Sequence, residues 1–170
     1  MIYVGSFSKT IFPSLRIGFI VVPKVHVNDF ARAVNITGQH PSQLLQATLA
    51  DFISNGHFST HLRKMRRLYR QRKILFGSLC REILGDWMHL RSADAGIQMV
   101  GYLVPGIDDG KLLEQCMKRS IQFKRLSTLY HHTPPKQGMV LGYAANDDSQ
   151  IRANLQTLQA VFKDLESARC

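Results

Sequence analysis

Apolar positions along the chain change period several times, and each change marks an element. A first apolar run covers residues 2–8 and a second covers 17–22. Both are rich in β-branched and aromatic side chains, and neither alternates apolar with polar, which is the pattern of strands buried on two faces. Such strands point to an α/β layer architecture. After Pro23 the period lengthens: residues 26–36 repeat at helical spacing, and Gly38 with Pro41 punctuates them. A second helix is expected next, capped by Ser42, with Leu44, Leu45, Leu49, Phe52 and Ile53 as its apolar stripe and Gly56 at its end. The longest predicted helix spans 58–84, where Leu62, Met65, Tyr69, Phe76, Leu79 and Ile83 form a seam interrupted by Arg72.

The remainder alternates. Strands are predicted at 87–90 and 97–104, a helix at 109–119, short strands at 121–124 and 139–143, and a last helix at 149–165. That describes a compact α+β lobe on a helical stalk, without repeats or low-complexity tracts. The first strand is at odds with its own position: it begins at the first residues, so no earlier element covers it, and one later strand is near enough to share its sheet. The N-terminal lobe is therefore expected to be incomplete.

Composition narrows the class. The chain has 170 residues, 45% of them hydrophobic and 20% charged, enough for one ordinary domain or two small lobes. Cys80, Cys116 and Cys170 are far apart and never form a CxxC pair, so neither a disulfide framework nor a zinc site is indicated and a reducing cytoplasm is expected. The most apolar stretch, 17–22, falls far short of the ~20 residues of a membrane span. Net charge is +10, and seven of the 22 Lys and Arg lie between Arg63 and Lys73. Because they recur at helical spacing beside an apolar seam, one amphipathic helix accounts for both stripes, and a nucleic-acid footprint is the less favoured reading.

Chemistry concentrates in GSFSKT, residues 5–10. A P-loop needs GxxxxGK followed by Ser or Thr, yet Ser8 stands before Lys9 and Pro13 interrupts any following helix. A covalent-cofactor lysine asks something else: its amine must lose a proton, so the ordinary lysine value of about 10.4 must fall by burial or by nearby positive charge. Lys9 at the end of an apolar strand, with Ser6, Ser8 and Thr10 around it and Arg16 beyond, has the residue types for that chemistry. Arg16 suits a bidentate grip on phosphate. A lysine in a solvated turn remains the plain alternative.

The whole run IYVGSFSKTIFPSLRIGFIVVP resembles the Schiff-base segment of fold-type I, class I/II pyridoxal-phosphate aminotransferases, and most closely the aminotransferase-like domain of MocR-type regulators of the GntR family. The resemblance continues through HPSQLLQATLADFISNGHFSTHLRKMRRLYRQRK, AGIQMV, LSTLY and QGMVLGYA. It implies an α/β fold-type I architecture with residues 1–37 as the end of the large cofactor-binding domain, 38–85 as a helical connector and 86–170 as the small α+β domain. By position it makes Lys9 the internal-aldimine lysine and the general acid/base, Arg16 the phosphate arginine, and Ser6 and Ser8 phosphate-side hydroxyls. Pyridoxal 5'-phosphate is then the cofactor, an amino acid or amine the substrate or effector, and a homodimer the working form, with DNA bound through an upstream winged helix.

Two departures qualify that implication. The pyridine-nitrogen aspartate, the ring-stacking aromatic and the glycine-rich phosphate loop of family members precede the Schiff-base strand, so the chain is expected to be the C-terminal part of a longer protein and to bind cofactor poorly alone. Many family aminotransferases also place a carboxylate-binding arginine just before L-(S/G)-(F/Y)-A, where this chain has Val140, and spacing favours neither Arg125 nor Arg152 as a replacement. A regulator needs only to bind cofactor or effector. A free-standing aminotransferase acting between amino acids and 2-oxo acids is the alternative, and a basic nucleic-acid-binding protein the third reading. His57 and His61 have i, i+4 spacing but lack an HExxH glutamate, so no metal is expected there, and His131-His132 before Pro134-Pro135 reads as a loop.

Overall fold

The computed structural model describes residues 1–38, 40–91, 96–131 and 135–167. They form two compact units, Met1–Met65 and Arg66–Cys170. In the first, β1 (Tyr3–Ser6) and β2 (Gly18–Val21) pair antiparallel, with Tyr3 opposite Val21 and Ser6 opposite Gly18. The pair comes close at Gly18, where an added Cβ would lie 2.9 Å from the Gly5 carbonyl oxygen, so glycine is required for the strands to meet. The apolar run expected to be covered on both faces is largely exposed, as at Val4, Ile20 and Val21. Strand length is also shorter than the pattern implied, because Phe7 to Ile11 close a turn instead of extending the ladder.

Helix α1 (Val27–Thr37) ends at Gly38, and α2 (Gln43–Ser54) follows. Ser42 stands at the expected N-cap of α2, but its side chain makes no capping hydrogen bond; its carbonyl accepts from the Gln46 amide at 3.0 Å. Gly56, at φ 76°, supplies the left-handed residue between α2 and α3 (His57–Leu84). Leu15, Ile17 and Leu49 form the small core of this unit, joined by Phe7 and Ile11.

The boundary between the units falls within α3, whose later turns belong to the second. There, β3 (Met88–Arg91), β4 (Gln98–Leu103), β5 (Lys124–Arg125) and β6 (Gly138–Gly142) form an antiparallel sheet in the order β3-β4-β6-β5. Helices α4 (Asp109–Met117) and α5 (Asp148–Ser167) complete the unit. Its core joins Phe76, Leu79 and Leu84 of α3 to Met99, Met139 and Tyr143 of the sheet region and Leu155, Leu158 and Phe162 of α5. Trp87, predicted as strand, instead caps the end of α3: its amide donates to the Leu84 carbonyl and its ring stacks on Phe162 at 5.5 Å. The strand predicted at 121–124 begins late for a similar reason. Ile121 donates its amide to the Cys116 carbonyl, and Ser120 has φ 59°, so these residues finish α4 and cannot pair with β6.

One buried charge organises the second unit. Asp108 caps α4 through its side chain, accepting from the Gly110 and Lys111 amides at 2.9 and 2.8 Å. Asp109 next to it is fully buried. Its Oδ1 accepts from Arg125 Nε (2.9 Å) and Ser127 Oγ (2.7 Å), and its Oδ2 from the Ser127 and Gly138 amides (2.9 and 3.2 Å). One carboxylate thus ties α4 to both sides of the connection between β5 and β6. Burial alone would raise this carboxyl, but the bonds from Ser127, Arg125 and Gly138 outweigh that and hold it below the ordinary carboxylate value.

Removing a buried carboxylate that leaves such donors unpaired costs about 3 kcal/mol, so Asp109→Ala should lower the urea midpoint of this unit accordingly. A lowered folded value also fixes the sign of the pH dependence. The stabilisation is complete above the unfolded value of about 3.9 and fades as pH falls through the lower folded value. Asp109→Asn should therefore show a shallower loss of stability on acidification, and an acid limb identical to the parent's would contradict the assignment.

Candidate functional site

The β1–β2 ladder ends where the Phe7 amide donates to the Ile17 carbonyl at 3.0 Å. Beyond that bond the chain turns sharply, because the Phe7 carbonyl accepts from the Thr10 amide (3.1 Å), the Ile11 amide (2.9 Å) and the Thr10 hydroxyl (3.1 Å). Lys9 sits at the apex of this turn and is exposed. The Ser8 amide donates to Ser6 Oγ at 3.2 Å, which leaves the Ser6 hydroxyl proton free to donate elsewhere.

Phe7 points the other way. Its ring packs 5.5 Å from Phe19 and edge-on to Phe58 at 5.7 Å, and Phe58 in turn meets Phe52. The Phe7 ring thus anchors the loop on the aromatic cluster from within. A second tie comes from α3: His61 Nε2 lies 2.9 Å from the Thr10 carbonyl. A carbonyl only accepts, so His61 carries its proton on Nε2 here.

Arg16 closes the other side of the loop in a left-handed conformation, φ 51° and ψ 32°. Its neighbours Leu15 and Ile17 are both buried. Non-glycine residues rarely adopt that region and it is costly by ~1 kcal/mol or more, a cost offset here by burying an apolar residue on each side. Arg16 lines a cleft of about 730 Å³ together with Val4, Gly5 and Gly18 of the hairpin, Val27, Phe30 and Val34 of α1, and Pro41. Ser6, Ser8 and Arg16 therefore stand at one end of the β1–β2 ladder, but of the four predicted site residues Arg16 lines the cleft and Ser6, Ser8 and Lys9 do not.

The other candidates resolve differently. His57 packs its ring on Phe52 at 5.8 Å and His61 is engaged with Thr10, so the i, i+4 pair serves the aromatic cluster and the loop. Among the described residues no group of three or more His, Cys, Asp or Glu is placed to hold a metal ion. Cys80 and Cys116 are buried, and burial pushes their thiols up to about 12 and about 11, with only partial relief from Arg81 and Arg119 respectively. Neither is a nucleophile at neutral pH. Arg125 is engaged with Asp109, Arg152 is exposed on α5, and Val140 is a half-buried strand residue opposite Val100. His132, Pro134 and Cys170 lie outside the described residues. The residue that sequence reasoning missed is His61 as a loop tie; its partner is 51 residues away and carries no side-chain signal.

No family profile matches the chain. It is 48% identical over 168 residues, 99% of its length, to a probable rhizopine catabolism regulatory protein MocR of Rhizobium meliloti, covering 34% of that protein. It is 30% identical over 96% of its length to an uncharacterized HTH-type transcriptional regulator, YdeL, of Bacillus subtilis, covering 35% of it. The chain thus spans about a third of the length of these curated relatives. A crystal structure of the α-aminoadipate aminotransferase LysN of Thermus thermophilus, complexed with N-(5'-phosphopyridoxyl)-L-leucine, superposes with a TM-score of 0.88 at 22% identity, over 98% of this chain and 43% of that one. At that identity the likeness establishes a shared fold, α/β of fold-type I.

If His61 fixes the loop, His61→Ala should speed hydrogen exchange of the Thr10 and Ile11 amides by roughly fivefold, as expected for losing one hydrogen bond of about 1 kcal/mol. Exchange rates unchanged from the parent would show the turn to be self-sufficient.

Proposed function

We propose, for a chain homologous over nearly its whole length to MocR-type transcription regulators and built on the fold of fold-type I aminotransferases, that it is effector-sensing machinery of such a regulator and holds pyridoxal 5'-phosphate at the β1–β2 loop. The observation that carries this reading is that the hairpin brings Lys9, in the turn, and the left-handed Arg16, which lines the adjoining cleft, to the same end of one ladder, although Lys9 itself is exposed and not buried as its position after an apolar run suggested. Lys9 is the residue that would hold the cofactor covalently. Arg16 would hold its phosphate through two guanidinium N–H groups, and Ser6 and Ser8 would donate their hydroxyls to the remaining oxygens. These donors are cationic or neutral and none is a carboxylate, which is the chemistry a phosphate ester requires.

When bound, the cofactor supplies an electron sink next to an amino group. This chain's residues supply the rest. The three bonds to the Phe7 carbonyl and the His61 bond to Thr10 hold the backbone on either side of Lys9, so its flexible stem moves while its attachment does not. That combination lets one amine both hold a ligand and carry a proton to or from an atom beside it. Within the same proposal, residues 1–37 close the large cofactor-binding domain, 38–85 connect, and 86–170 form the small domain. The full regulator would work as a dimer and reach DNA through a winged helix outside this chain.

The fold also suits the alternative, a free-standing aminotransferase. Against it stand Val140, which offers no cation to a substrate carboxylate, and Arg125, which already serves Asp109. Neither residue weighs against a sensor. No helix among the described residues is long and apolar enough to cross a membrane.

The test is covalent trapping. After loading the whole regulator with pyridoxal 5'-phosphate and reducing with borohydride, peptide mapping should find the label on Lys9. Lys9→Ala should abolish the visible absorbance of the loaded protein, and Arg16→Ala should weaken loading by about 10- to 100-fold, the worth of a charge-assisted pair of hydrogen bonds. Label on another lysine, or absorbance that survives Lys9→Ala, would sink the site.

A further inference from the structure

Helix α3 carries a charge arrangement that the cofactor reading leaves unused. From His57 to Arg81 the chain has eight Lys and Arg and no Asp or Glu. Exposed helices ordinarily space acids and bases at i, i+4, because like charges at that spacing repel. In the second unit, Arg66, Arg67 and Arg70 fall within one arc of about 100° on α3, since each residue advances the helix by about 100°. That arc lies away from Tyr69, Phe76 and Leu79, which face the core. All three arginines are exposed, and among the described residues no hydrogen bond or ion pair engages their side chains. Arg72, two residues further, is different: it donates to the Ala144 carbonyl and belongs to the fold.

Three adjacent guanidinium groups with no internal partner form a surface built for an anion with several charges in a row. Each offers a planar pair of donors that matches phosphate oxygens. We infer that Arg66, Arg67 and Arg70 form a docking face for the phosphate backbone of duplex DNA, independent of base sequence. Among polyanions, DNA is chosen because the chain is similar to proteins named as transcription regulators and because its net charge of +10 steers it to a polyanion at long range. This face shares no residue with the Lys9 site and would act in addition to whatever element reads the operator. It would add affinity without adding specificity.

Salt dependence tests it directly. With this chain and a random-sequence duplex, the logarithm of the binding constant should fall linearly with the logarithm of salt concentration. Replacing Arg66, Arg67 and Arg70 together by Ala should reduce that slope by about 3, one for each phosphate no longer neutralised. The triple Lys variant should keep it, because charge is retained. Circular dichroism should show parental helix content in both variants, since the substituted face lies away from the core. Lys9→Ala should leave the slope unchanged, so failure of the cofactor site and failure of the arginine face give separate results. No binding to the duplex, an unchanged slope in the Ala variant, or equally tight binding to poly-glutamate or to phosphatidylserine vesicles would each overturn the proposal.

Discussion

Everything at the candidate site follows from how the backbone of one residue, Phe7, is used. The Phe7 amide makes the last bond of the β1–β2 ladder, and the Phe7 carbonyl gathers both Thr10 donors and the Ile11 amide. One residue therefore ends the strand and starts the turn, with its aromatic ring packed against Phe19 and Phe58 as the anchor. Were the strand to continue, as its apolar run suggested, period-two alternation would carry the next side chains along the sheet instead of into a loop. The turn instead gathers Ser6, Ser8 and Lys9 at the end of the hairpin. Arg16 completes the return by taking a backbone conformation that suits few residues, held there by Leu15 and Ile17.

In the second unit Asp109 plays the comparable part with opposite chemistry. Among the described residues the first site leaves the Ser8, Lys9 and Arg16 side chains without a hydrogen bond, whereas the Asp109 carboxylate accepts from Arg125, from Ser127 twice and from Gly138. Saturation of that kind is what makes a buried charge tolerable. It also decides what Arg125 is for. A guanidinium already bonded to a buried carboxylate gains little by turning to a ligand, and the strand position that could have offered another cation holds Val140. The contrast separates structural charge from available charge on physical grounds: the first kind is fully bonded, and the second is exposed and without a partner.

Much of the architecture was legible from periodicity. The five helices lie within a few residues of their predicted spans, because their seams are long enough for a 3.6-residue period to stand out. Short strands were less well bounded, and each error has a local cause. Trp87 stacks on Phe162 and ends α3; Ile121 bonds back to Cys116; Phe7 turns the chain. In all three an apolar residue is used by a helix end or a turn, and hydropathy does not distinguish that from a strand. At the site, Lys9 and Arg16 were legible as residue types in a motif, and the hairpin places Ser6, Ser8 and Arg16 at the end of one ladder. The His61 tie was not legible, since its partner is a backbone carbonyl that every residue possesses. Nor was Asp109, which reads as a second acid at a helix start until its burial is known.

The charge on α3 needs an explanation of the same physical kind. A helix with eight cations and no acids before Glu82 draws nothing from i, i+4 ion pairs and is opposed by repulsion along its length. Its later turns hold through burial of Phe76, Leu79, Cys80 and Leu84, which outweighs repulsion between exposed and hydrated groups. Burial thus accounts for why the helix survives its charge. It does not account for the charge itself, since Lys–Glu pairs on the same exposed face would stabilise the helix and leave the core unchanged. Arg72 shows what a structural arginine on this helix looks like, bonded to a carbonyl of its own unit. Among the described residues Arg66, Arg67 and Arg70 have no such bond, and the external anion proposed for them would turn their mutual repulsion into affinity.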